Sequence, residues 1–285
     1  MKKLIILSDY GLDDAAAGAY LIGRRQMFGG IDIVAVGGNV GKELSLNNAL
    51  RLVAALEKES GPMNGVRVIH TLSIPQEFAA LPAVHGGDGM GDITLDCAAQ
   101  KKPLGFGEWR ESLTGGEIIL SLGPLTVTRL LLKKIGSRQN NVRRVRTASG
   151  KLIIMAGLVN AVPNFMGAEF NQALDMPAYN ECLAYPHAVA TLDTCRRPEF
   201  NLAGRRFNES VLGKLVNRAC ALAEARHADN AYIYDLIASL YLTRPQIFKP
   251  VPKPDPWGNL PNELELTDPS FSLAALIESE TQKKP

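Results

Sequence analysis

The chain is 285 residues long, 46% hydrophobic and 6% aromatic, enough for one large core and for one domain rather than two. Its 31 basic and 29 acidic residues leave a formal charge of +2, which gives no electrostatic footprint for nucleic acid or an anionic membrane. No secretory apolar stretch follows the first lysines, no run nears the roughly 20 apolar residues of a membrane helix, and no two of Cys97, Cys182, Cys195 and Cys220 sit at CxxC spacing, so a cytoplasmic protein with reduced thiols is expected.

In chain order, residues 3–8 (KLIILS) are a short, continuous apolar run and predict a buried strand. Asp13 to Arg24, rich in alanine, predicts a helix. Residues 31–38 (IDIVAVGG) predict a second strand closed by glycines. Residues 43–57 carry Leu46, Leu50, Val53, Ala54 and Leu56 at near-helical spacing. Val66 to His70 and residues 117–121 (EIILS) predict further strands, the latter followed by a Gly123-Pro124 break and a helix around Val127 to Lys134. A fifth strand is expected at 151–156 (KLIIMA). Strands alternating with helices imply an α/β fold, an open and mostly parallel sheet with helices on both faces. From Lys249 the texture changes to KPVPKPDPWGNLP, whose prolines cannot serve a helix interior or a central strand because they lack the donor. Residues 1–248 are therefore read as the α/β domain. Residues 249–285 are read as a proline-rich C-terminal arm packed on that domain, extended over 249–262 and closed by a short helix within 265–280.

Ligands of open α/β sheets bind outside the carboxyl ends of the strands. The first such end reads Ser8-Asp9-Tyr10-Gly11-Leu12-Asp13-Asp14, three carboxylates around a glycine. Asp13 and Asp14 suit the first turn of a helix. Three crowded carboxylates also suit a hard cation, and calcium accepts about 6–8 oxygen ligands. Without CxxC or HExxH, an oxygen-liganded metal is a better expectation than zinc. Polar residues close the later strands. They are Gly37-Gly38-Asn39, Asn48 on the next helix, and the loop His85-Gly86-Gly87-Asp88-Gly89-Met90-Gly91. Ala168-Glu169-Phe170-Asn171 follows, read as a short extended run with both polar side chains on one face, and Tyr234-Asp235 opens a late helix. Singly, each suits an ordinary turn or a solvated residue.

In order, these residues resemble the inosine–uridine-preferring nucleoside hydrolase family, whose signature runs Asp-x-Asp-x-Gly-x-Asp-Asp after the first strand. Asp9, Gly11, Asp13 and Asp14 match it. Gly38-Asn39, Asn48, the His85 loop, Gly123-Pro124-Leu125-Thr126, Ala168 to Asn171, Leu192-Asp193-Thr194 and Asp235 match later blocks, over about residues 4–248. The resemblance implies a nucleoside hydrolase-like sheet with a Rossmann-like core. It implies calcium held by Asp9, Asp14, Asp235 and the Leu122 carbonyl, with Asp9 as general base. Asp13, Asn39, Glu169 and Asn171 resemble the residues that hold the ribose hydroxyls, and either Asn160 or Asn164 resembles a further one. The implied substrate is a small-molecule nucleoside or riboside, cleaved to base and ribose, and the implied assembly is a homodimer or homotetramer. The implied transition state is oxocarbenium-like, so positive charge develops on the ribose and a carboxylate-rich site stabilises it. Neither GxGxxG after a strand nor a P-loop is present, so no organic cofactor is expected.

Four departures from the family pattern stand out. Leu7 replaces the first signature Asp, and Tyr10 replaces the proline after the second. Tyr234 replaces the histidine that serves as acid for the departing base, which leaves Tyr234 or His85 for that role. Only about 50 residues follow Asp235, so the sheet edge is expected to be rebuilt. The departures raise a second reading, a weak or inactive homologue that binds calcium and a ribosyl ligand. A third, a magnesium phosphohydrolase with Asp9 as nucleophile, is disfavoured because Leu7 and Gly11 occupy the places of its second aspartate and threonine. Residues 72–92 and 221–234 are expected as flaps near the base. Trp109 and Trp257 are assigned no role.

Overall fold

The computed structural model describes residues 1–95, 102–138 and 152–282. Among them, nine strands form one sheet: β1 (Leu4–Ser8), β2 (Ile31–Ala35), β3 (Val66–His70), β4 (Leu104–Gly105), β5 (Ile118–Ser121), β6 (Leu152–Met155), β7 (His187–Ala190), β8 (Phe248–Pro252) and β9 (Asn262–Leu266). Their spatial order is β4-β3-β2-β1-β5-β6-β7-β9-β8. Every pairing is parallel except β8 with β9. The chain builds outward from β1 in one direction, then returns to β5 and builds in the other. The switch point therefore falls between β1 and β5, where such sheets open a crevice at their carboxyl ends.

Parallel strands covered on both faces read as unbroken apolar runs, and all five residues of β1 are buried. Leu4 and Ile6 face one apolar layer with helices α1 (Leu12–Ile22), α2 (Lys42–Ser60), α6 (Val211–Ala225) and α7 (Tyr234–Thr243). Ile5 and Leu7 face the other, under α3 (Thr126–Arg138) and α5 (Met176–Cys182). Helices thus lie on both faces, as the alternation of elements predicts. Between α3 and α5 the chain adds β6 and the short α4 (Phe170–Leu174); α8 (Leu273–Gln282) closes the described chain.

Three expectations are corrected. The second strand ends at Ala35 rather than residue 38, because Gly37 and Gly38 release the chain from the sheet and turn Asn39 back toward β1. Glu169 and Asn171 do not share an extended run. Glu169 caps α4, accepting from Gln172 N, and Asn171 lies in its first turn. The proline-rich segment is not one extended arm over 249–262: it turns at Asp255 to Gly258 and its flanks pair antiparallel as β8 and β9, with β9 bridging in parallel to β7 at Val189 and Glu263. Pro250 and Pro252 sit on the outermost strand, where a missing donor costs no ladder bond on the solvent side. Strand β7 is too short an apolar run to stand out in the sequence. Cys182, Cys195 and Cys220 are free and buried; Cys97 lies outside the described residues. No helix among the described residues is long and apolar enough to cross a membrane.

Candidate active site

The site begins where β1 ends. Asp9 follows Ser8, and Tyr10 takes a left-handed conformation, φ 47°. A proline there would be locked near −65° and could not take this conformation, which Tyr10 adopts although it is uncommon for a bulky side chain. Gly11 precedes the helix because neighbours crowd it: a Cβ would fall 2.8 Å from His85 Nδ1. Asp13 and Asp14 occupy the first turn of α1, where the helix dipole favours negative charge. Asp14 receives Ser8 Oγ at 2.7 Å and Gly11 N at 2.9 Å.

Asn39 reaches Asp9 from the end of β2. Its backbone N donates to Asp9 Oδ2 at 2.6 Å and its amide to Asp9 Oδ1 at 3.2 Å, and the same amide lies 3.3 Å from Asp14 Oδ2. Gly38 leaves room for this, since a Cβ there would overlap the Asp9 carboxylate. Asp235 enters from the first turn of α7 and is buried. Carboxylate oxygens of Asp13, Asp14 and Asp235 lie within 4.8 Å of one another. Asp9 lies beside Asp14 with its own oxygens turned to Asn39.

Burial drives the carboxylate pKa values up. Desolvation, then the charge of Asp14, holds Asp9 well above the ordinary range. Desolvation and then Asp14 do the same to Asp235. Asp14 is pushed to about 7 by burial and by Asp13. Among the described residues no Lys or Arg pairs with Asp9, Asp14 or Asp235. Asp13 Oδ1 is buried without a hydrogen-bond partner. Buried, mutually repelling carboxylates lacking a protein cation are what a divalent ion with oxygen ligands would relieve, so this donor set fits such a metal.

Above them lies a cavity of about 210 Å³. Of the residues singled out from sequence, its wall contains Asp13, Asn39, His85, Leu122, Asn164, Glu169, Asn171, Tyr234 and Asp235. Asp9 and Asp14 are buried beneath it. Asn160 is exposed and is not part of the wall; its backbone N donates to Asp193 Oδ1 at 2.8 Å. Glu169 accepts from Gly157 N and Gln172 N, each at 3.0 Å, yet burial raises it to about 7. Asn171 Nδ2 donates to the Leu122 carbonyl at 2.7 Å and to the Met155 carbonyl at 3.0 Å.

His85 ends a helical turn, Pro82–His85. Its Nδ1 accepts from Leu12 N at 3.1 Å and lies 3.6 Å from Asp13 Oδ1. A neutral ring in this setting carries its proton on Nε2. Burial lowers its pKa; Asp13 opposes that and Arg226 adds to it. Tyr234 is raised by burial, against the pull of Arg196, whose Nε donates to its hydroxyl at 3.4 Å. The regions 72–92 and 221–234 both reach the cavity, through Leu81, Val84 and His85 and through Ala223, Arg226 and Tyr232. Sequence patterns single out neither Arg226 nor Tyr232 as wall residues. They fall within the 221–234 segment expected near the base, but no motif marks either residue individually.

The chain belongs to the inosine-uridine preferring nucleoside hydrolase family, whose model matches residues 4–279. That match runs through the proline-rich segment, beyond the 4–248 expected from the motifs. Uridine nucleosidase 1 of Arabidopsis thaliana is 30% identical over 164 residues, covering 52% of this chain and 45% of the relative. The chain thus spans under half of that relative's length. Among solved structures, a plant nucleoside hydrolase aligns with a TM-score of 0.70 at 19% identity, covering 99% of this chain and 98% of its own. A purine-preferring ribonucleoside hydrolase from Gardnerella vaginalis aligns at 0.65 and 21%, covering 94% and 90%. At such identities the likeness is one of fold.

Proposed function

We propose that the protein hydrolyses the N-glycosidic bond of ribonucleosides or of a related riboside, with calcium as its metal, releasing free base and ribose. The observation that carries this is the convergence of Asp13, Asp14 and Asp235 under a cavity walled by Asn39, Glu169 and Asn171, in a chain of this family.

Asp14, Asp235, Asp9 and the Leu122 carbonyl would hold the ion. The carbonyl has two lone pairs, so its bond from Asn171 leaves one free. Calcium would supply a fixed positive charge that orients a water and eases its deprotonation. The chain's own residues do the rest. Asp9 takes the proton of the attacking water. Asp13, Asn39, Glu169, Asn171 and Asn164 hold the ribose, and the carboxylate field favours the positive charge that grows on it. His85, through Nε2–H, and Tyr234 face the departing base.

A second reading, a calcium- and riboside-binding homologue without turnover, draws on Leu7. That side chain packs in the apolar layer with Ile5, Val34 and Val36, so no carboxylate backs Asp9 from the strand. Incubation of the protein with calcium and inosine, uridine and adenosine, followed by reducing-sugar release, separates the two. Release that disappears in Asp9→Ala supports hydrolysis. Calcium and ribose binding without release from any nucleoside supports the binding protein.

A further inference from the structure

The turn after β7, Thr191 to Arg196, contains the Leu192-Asp193-Thr194 motif, which the proposed chemistry leaves unused. It touches three separate parts of the molecule. Asp193 accepts from two successive backbone donors, Val159 N at 2.7 Å through Oδ2 and Asn160 N at 2.8 Å through Oδ1. Arg196 Nη1 donates to the Val162 carbonyl at 2.6 Å, and its Nε donates to the Tyr234 hydroxyl at 3.4 Å. On the other side the turn is fastened to β9. Thr191 Oγ1 meets Glu263 Oε2 at 3.1 Å, and Thr194 Oγ1 donates to the Leu264 carbonyl at 2.9 Å.

We propose that Asp193 and Arg196 are positioning residues that hold the 159–164 loop and the Tyr234 hydroxyl in one register, so that Asn164 and Tyr234 face a bound nucleoside together. The proposal rests on the reading of the cavity as a nucleoside site. Val162 is 75% exposed, and Asn160 and Asn164 are exposed as well. The loop therefore has little apolar burial of its own to order it. Asn164 N donates to the Ala168 carbonyl at 3.1 Å at its far end, and hydrogen bonds from the turn constrain its first half, at Val159, Asn160 and Val162. Arg196 is the one residue of the turn whose side chain bonds both to the loop and to Tyr234. A lysine could reach one of these acceptors but lacks the planar fork to serve both. The family motif thus acts as a bracket, and β9 braces it from behind.

The test uses the full chain with calcium. Amide hydrogen exchange is followed at Val159 and Asn160 in wild type, Asp193→Ala and Asp193→Asn. KM and kcat for inosine and uridine are measured in wild type, Arg196→Met and Arg196→Lys. Exchange at both amides is expected to rise about tenfold or more in Asp193→Ala and less in Asp193→Asn, which keeps one acceptor, with the rest of the protein unchanged. KM is expected to rise about tenfold in Arg196→Met with kcat within about threefold, and Arg196→Lys to recover part of it. Unchanged exchange in Asp193→Ala, or equal effects of Arg196→Met and Arg196→Lys confined to kcat, would overturn the bracket. If wild type cleaves neither inosine nor uridine, the nucleoside reading fails separately, and exchange, with and without ribose, decides the bracket alone.

Discussion

Asn39 binds Asp9 twice, through its backbone N–H and through its side-chain amide, at 2.6 and 3.2 Å. The same amide reaches Asp14 at 3.3 Å, so one neutral residue serves two buried carboxylates. Removing that amide in Asn39→Ala leaves both with fewer donors. A hydrogen bond to a charged group contributes about 1.5–3 kcal/mol. A loss of about 2 kcal/mol appears as a fall of roughly 3 °C in the Tm of a chain this size. Differential scanning fluorimetry with and without calcium checks it, and an unchanged Tm in both conditions would contradict the shared-donor account.

Calcium binding by titration calorimetry distinguishes the ligands. Asp14→Asn and Asp235→Asn are expected to lose at least about 100-fold in affinity, since removing one ligand leaves the ion short of charge and of an oxygen donor. Asp9→Asn is expected to behave likewise and Asp13→Asn to lose much less. The reverse order would assign Asp13, whose oxygen converges with those of Asp14 and Asp235, to the metal and leave Asp9 as base alone.

Glu169 gives the metal-free protein a pH dependence of definite sign. Burial raises its pKa in the folded chain from 4.5 to about 7. The folded state therefore favours the protonated form, and this contribution is complete below about 4.5 and is lost as pH rises through 7. At about 1.4 kcal/mol per unit, the loss is about 3 kcal/mol. Asp14, raised to about 7, acts in the same direction. In Glu169→Gln the decline in denaturation midpoint between about pH 4.5 and 7.5 should be shallower. The Gln carbonyl can still accept from Gly157 N and Gln172 N, which share one Glu169 oxygen. An identical slope in wild type and variant would place the dependence elsewhere.

For the departing base, His85 and Tyr234 make opposite predictions. A group that delivers a proton contributes about 10²–10⁴-fold to the rate. If His85 is that group, His85→Ala loses this factor in kcat while Tyr234→Phe loses less than about tenfold. The losses should also shrink for nucleosides with better leaving bases. His85→Ala with intact binding and turnover would remove it from the mechanism and leave Tyr234, whose hydroxyl Arg196 supports.

Much of this protein is legible in its amino-acid sequence. The apolar runs at β1, β2, β3, β5 and β6 announce a buried parallel sheet, because strands covered on both faces need no polar alternation. The aspartates of 9–14 mark its first carboxyl end, and the order of later blocks points to the family. Other features are decided in three dimensions. Strand β7 is four residues long and β9 reads NELEL, too short or too polar to stand out. The proline-rich segment becomes a sheet edge only because β7 offers a partner. Glu169 is a helix cap rather than part of an extended run because its carboxylate can collect Gly157 N as well as Gln172 N. Asn160 and Asn164 look alike in sequence. The bond to Asp193 fixes Asn160 by its backbone and leaves Asn164 on the cavity wall. Arg226, Tyr232 and the pairing of Asp9 with Asn39 join residues far apart in the chain. Local sequence determined the strands and the acidic turn, since apolar runs and crowded carboxylates are local facts. Which polar groups share one buried space depended on the crossing at the β1–β5 switch point, which only the folded chain defines.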